Sequence, residues 1–108
     1  MARTPEQRWE PIAKAQLAER GVTVGTGFGT GAGLRVSGKI FAMLVRGELV
    51  VKLPKDRVDE LVDARAARRF DAGKGRPMKE WASVPASASR RWKGLVEQAR
   101  VFVGGSEA

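Results

Sequence analysis

Between Leu34 and Leu53 three apolar runs are separated by two dipeptides, Ser37-Gly38 and Arg46-Gly47, and no other feature of the chain limits its fold as much. Leu34 and Val36 alternate with Arg35 and Ser37. Ile40 to Val45 is apolar throughout. Leu49, Val51 and Leu53 then alternate with Val50 and Lys52. Side chains on a strand point alternately to two faces, so period two marks a half-buried strand and an unbroken apolar run marks one covered on both faces. Two-residue connections ending in glycine match the twist of paired antiparallel strands. The pattern predicts an antiparallel meander with residues 40–45 in its centre.

Helical signals surround this core. Thr4-Pro5-Glu6-Gln7 reads as a helix start, with Thr4 as N-cap, Pro5 in the first turn and Gln7 closing a capping box. Trp9, Ile12, Ala13 and Leu17 then form one apolar stripe, and Gly21 supplies a stop. Pro11 breaks the pattern, because inside a helix it removes a hydrogen bond, so the alternative is a helix that begins at Pro11. Pro54 opens a second helix with Val58, Leu61 and Val62 on its inner face. Residues 70–78 are basic and interrupted by glycine and proline, and 78–84 suits a further strand. Ser87 or Ser89 is placed to cap a last helix carrying Trp92, Leu95, Val96, Ala99, Phe102 and Val103, with Gly104-Gly105 ending it. With 108 residues, no repeat and no linker, the expectation is a single domain over 1–108. Its class is α+β: two layers, an antiparallel β-meander sheet with N-terminal, middle and C-terminal helices.

Composition narrows the chemistry. Cysteine, histidine and tyrosine are all absent. That removes thiolate nucleophiles, the commonest general base and the commonest metal ligand together. No catalytic residue, cofactor or metal is expected. The first twenty residues carry charges throughout and no later run is long enough to span a bilayer, so a cytoplasmic protein without a membrane partner is expected.

Residues 25–39 carry two overlapping fingerprints. Gly27-Phe28-Gly29-Thr30-Gly31-Ala32 fits a dinucleotide loop, and Gly33 to Lys39 fits most of a phosphate loop. Both loops work by opening a helix whose N-terminus meets the phosphates. Here the glycines lead into a strand, and Ile40 stands where magnesium requires a hydroxyl. The preferred interpretation is a strand on which the five glycines from Gly25 to Gly33 face one way, allowing another backbone to approach closely. Asp56/Glu60 and Asp59/Asp63 are read as a solvated helix face rather than a metal clamp. Trp9 and Trp92 are read as core; Trp81 suits either a core or a base-stacking role.

Charge is the strongest functional signal. The net charge is +8, and all of the excess sits in two segments. Residues 65–79 hold Arg65, Arg68, Arg69, Lys74, Arg76 and Lys79 against Asp71, and residues 90–93 add Arg90, Arg91 and Lys93. The remaining chain balances eleven basic with eleven acidic side chains. Nine cations in two stretches suit a phosphate backbone, or an acidic protein partner.

The Phe28-Gly29 step, the "VSGKIFA" hairpin at Val36 to Ala42, "LVVKLP" at Leu49 to Pro54 and "GRPMKEW" at Gly75 to Trp81 together resemble the TfoX/Sxy N-terminal-domain family and its MmcQ/YjbR-like relatives. The resemblance covers roughly residues 22–103. It implies a small α+β domain with no known catalytic centre. TfoX-type proteins are associated with regulating natural competence in bacteria, and YjbR-like members have been suggested to bind DNA. One departure is plain: where the family leads one to expect glycines after the second helix, this chain has Arg65 and Ala67. The functional expectation is a non-enzymatic binding or regulatory domain of a bacterium, a monomer or homodimer working first as a protein-interaction module. The alternative is sequence-tolerant binding of nucleic acid through 65–79 and 90–93.

Overall fold

The computed structural model describes residues 4–27, 30–70 and 79–105. The elements run α1 (Pro5–Leu17), β1 (Val22–Gly27), β2 (Thr30–Val36), β3 (Lys39–Val45), β4 (Glu48–Lys52), α2 (Lys55–Asp63), β5 (Arg68–Arg69), β6 (Trp81–Val84), a 3-10 turn (Ala86–Arg91) and α3 (Trp92–Gly105). The strands form one antiparallel sheet in the order β1-β2-β3-β4-β6-β5. Side chains from all three helices join a single buried cluster with one face of that sheet, which gives the expected two-layer α+β arrangement. Among the described residues no helix is long and apolar enough to cross a membrane.

Both hairpins of the meander turn on two residues with positive φ: Ser37 at 54° with Gly38 at 79°, and Arg46 at 49° with Gly47 at 79°. That pairing of signs is the turn whose twist matches antiparallel strands. Between β2 and β3 the register slips, since Leu34 faces Ala42 while Arg35 faces Ile40. Phe41 is the extra residue of this β-bulge. The bulge sends Phe41 and Ala42 together into the helix-side core with Leu34, Leu49 and Val51. Ile40 instead joins Met43, Val45, Val50, Phe70 and Trp81 in a second cluster. The unbroken apolar run 40–45 therefore serves two faces, as its composition requires.

The helices follow local rules with a few corrections. Gln7 N–H donates to Thr4 Oγ1 at 3.1 Å and Thr4 N–H to Gln7 Oε1 at 3.0 Å, so the capping box forms and α1 runs through Pro11 instead of beginning there. Gln16 is buried as well as Trp9, and its Oε1 accepts from Arg100 Nε at 2.8 Å, tying α1 to α3. Neither Ser87 nor Ser89 caps α3. The 3-10 turn behind Pro85 feeds directly into it. Gly104 and Gly105 are the last residues of α3, as expected, and a Cβ on Gly104 would stand 3.1 Å from Val36 Cγ2. α2 ends in a Schellman motif: Ala66 N–H donates to Leu61 O at 2.9 Å and Arg65 N–H to Val62 O at 3.0 Å. The residue after the cap, where glycine is usual, is Arg65 with φ of 59°.

The glycine run is not one strand. The chain reverses between Gly27 and Thr30, so Gly25 stands opposite Gly33 on neighbouring strands, with an irregularity at Thr26/Gly27. Glycine presents no apolar face that would fix strand length, and the reversal was invisible for that reason. The second fingerprint, Gly33 to Lys39, thus spans the β2–β3 turn and opens no helix, while Phe28 and Gly29 of the first lie outside the described residues. The strand expected over 78–84 is β6, from Trp81; Met78 lies outside the described residues. β1 and β5 are the two edges. β1 has six residues, VTVGTG, with neither charge nor proline, whereas β5 is two arginines long.

Candidate functional site

Of the nine cations in the two basic segments, Lys74 and Arg76 lie outside the described residues, and the other seven are exposed. Arg68 and Arg69 are β5 itself. Arg90 and Arg91 end the 3-10 turn, and Lys93 is the second residue of α3. Two of the seven are neutralised across the fold. Arg68 Nη2 meets Glu48 Oε1 at 3.0 Å, and Arg69 Nη2 meets Asp59 Oδ1. These carboxylates stand on β4 and α2, so a count along the sequence overstated the free charge of the first segment.

Each segment lines a surface hollow. Arg65 and Arg68 line a hollow of about 200 Å³ with Glu48, Ala67 and Pro85. Arg90 lines another, of about 440 Å³, with Ala86, Ser87, Ser89 and Arg8. Pro85 lines the first and Ala86 the second, so consecutive residues where β6 passes into the 3-10 turn line the two hollows. Arg8 Nη1 donates to Ser89 Oγ at 2.8 Å, which fixes the guanidinium beside the second hollow. Lys79 is not brought in. It precedes the opposite end of β6, where Glu80 O accepts from Leu53 N–H at 3.0 Å. Lys93 lines neither hollow.

A third hollow, of about 420 Å³, adds Arg46 to this end of the molecule. Arg46, Arg68 and Arg69 line it together with Glu48, Ser83 and Phe70. Arg68 and Ser83 are direct partners across β5 and β6. Glu48 Oε1 receives both of them, Ser83 Oγ–H at 2.6 Å and Arg68 at 3.0 Å. Ser83 is 4 % exposed and its hydroxyl is committed to Glu48, so its part is to hold that carboxylate, which in turn aims Arg68. Asp59 plays the same part for Arg69. Hydrogen bonds from Lys55 and then Arg69 hold its carboxyl below the usual carboxylate range, and Lys55 is raised in return, chiefly by its hydrogen bond to Asp59. Arg8 and Arg46 were missed in the sequence, because each counted among charges balanced elsewhere along the chain.

What this end presents is a set of exposed guanidinium groups. Among the described residues no group of three His, Cys, Asp or Glu side chains gathers to hold a metal ion. The three tryptophans are core: Trp9, Trp81 and Trp92 are all buried, and Lys52 Nζ stands 5.9 Å from the centre of the Trp81 ring. Residues on both sides of β3 and β4 are buried, so the middle of the sheet offers a partner no open face. The chain matches no family model, no curated protein and no solved structure, so its resemblance to the TfoX/Sxy N-terminal domains rests on the segments quoted above.

Proposed function

We propose that this chain is a non-enzymatic domain that binds nucleic acid by its phosphate backbone, without strong sequence preference, at the end of the sheet where Arg8, Arg46, Arg65, Arg68 and Arg90 gather. One observation carries the proposal: residues of both basic segments line hollows whose walls include the consecutive residues Pro85 and Ala86. Charges from separate parts of the chain on adjoining surface are what a polyanion requires. The central strands, buried on both faces, leave the middle of the sheet closed to a protein partner. The suggested DNA binding of YjbR-like proteins points the same way, and a role in regulation inside a bacterial cytoplasm belongs to the same proposal.

Fluorescence anisotropy with random-sequence duplexes over a range of salt tests it. If four or five cations meet phosphates, log K should fall against log salt with a slope of about −4, and affinity at low salt should be roughly micromolar. Reversing Arg90 and Arg91 to Glu should abolish binding and leave the circular dichroism spectrum unchanged, since both side chains are exposed. Absence of binding at low salt sinks the proposal. So does tight binding with a flat salt response, because base contacts would then carry the affinity.

A further inference from the structure

Three non-glycine residues in the described chain have positive φ: Ser37, Arg46 and Arg65. Two of the three are arginines, and neither position favours one. Arg46 is the first residue of a two-residue hairpin turn, where asparagine, aspartate or glycine relieves the backbone. Arg65 follows the cap of α2, where glycine is usual. They belong to different elements, yet they converge. Arg46 lines the hollow of about 420 Å³, Arg65 lines the hollow of about 200 Å³, and the Glu48–Arg68 pair lines both. Backbone strain retained at two separate places around one ion pair is the mark of a built site.

We propose that Arg46, Arg65 and Arg68 form a seat for a phosphate group, a defined contact rather than part of a diffuse cationic surface. Arg68 is its fixed member. Ser83 holds Glu48, Glu48 engages Nη2, and the side chain remains 74 % exposed. A guanidinium has five N–H donors, so most of Arg68's remain available for oxyanion oxygens. Three guanidinium groups against one carboxylate leave an excess of two positive charges, which suits a phosphate monoester dianion or two successive diesters. The seat rests on the nucleic-acid reading for its ligand only in part, because the same chemistry would take a small polyphosphate.

The test uses the full chain with Arg46→Asn, Arg65→Gly and a control, Arg20→Ala. Arg20 is exposed in the turn before β1 and lines neither hollow, so the control removes the same unit of charge elsewhere. A random duplex is titrated by anisotropy and tripolyphosphate by calorimetry. Arg46→Asn and Arg65→Gly should each weaken duplex binding about tenfold, as loss of a charge-assisted hydrogen bond does, and flatten the salt slope by about one. Both should melt no lower than the parent, which excludes unfolding as the cause. Arg20→Ala should change affinity less than twofold. Saturable tripolyphosphate binding that the two variants lose, without duplex binding by the parent, would keep the seat and end the nucleic-acid reading. Equal loss in all three variants overturns the seat and leaves that reading intact, as does unchanged binding in Arg46→Asn and Arg65→Gly while the Arg90/Arg91 reversal abolishes it. No binding of either probe by the parent overturns both.

Discussion

Arg65 shows how much a single position can state. A side chain in the left-handed region costs about 1 kcal/mol relative to glycine. Arg65→Gly should therefore raise the stability of the chain by about 1 kcal/mol, read as a higher denaturation midpoint at unchanged slope. A lower midpoint would mean that the arginine makes contacts outweighing its backbone strain. The sequence displayed the anomaly, an arginine where a glycine is expected, but not its cause, which is the φ of 59° that closes the Schellman motif. Asp59 gives a second test at this scale. Its carboxyl is depressed by Lys55 and Arg69, so its contribution is complete above the ordinary carboxylate range and fades as pH falls through the folded value. Asp59→Asn should accordingly be less stable than the parent near neutrality, with the difference closing in acid. A difference that persists unchanged in strong acid would show that the carboxylate charge is not its source.

At the scale of elements, local signals were legible and distant ones were not. The capping box of α1, the two glycine turns and the apolar faces of α2 and α3 each depend on residues within a few positions, and all of them formed. Thr4→Ala should cost about 1 kcal/mol by removing one side of the box. Trp92 lies at 0 % exposure on the face α3 turns to the sheet, so Trp92→Ala should cost about 3–5 kcal/mol. An unchanged midpoint would show the ring standing free. β5 was not legible, because two residues carry no periodicity and exist as a strand only through β6. The candidate site was legible in its residue types and not in its shape. Arg65, Arg68 and Arg90 were marked by charge, but their placement depends on the turn out of β6. The neutralising partners Glu48 and Asp59 come from elements that no local window includes.

Across the whole molecule, burial is graded from the centre of the sheet outward. β3 and β4 have neighbours on both sides and buried residues on both faces, while β1 and β5 each have one neighbour. Amides of β3 and β4 should exchange with solvent only through global unfolding, and those of β1 through smaller openings at lower free energy. Hydrogen exchange as protective in β1 as in β3 would reveal a covered edge. The two edges also differ in a way that governs how copies could associate. An assembly that polymerises by sheet extension needs two receptive borders on every molecule. Here β5 is two residues long and all arginine, so an incoming strand finds a short ladder and two cations. β1 is longer and uncharged. Among the described residues, a joint made through β1 would use the longer, uncharged border of each participant, so growth by sheet extension would stop at a pair.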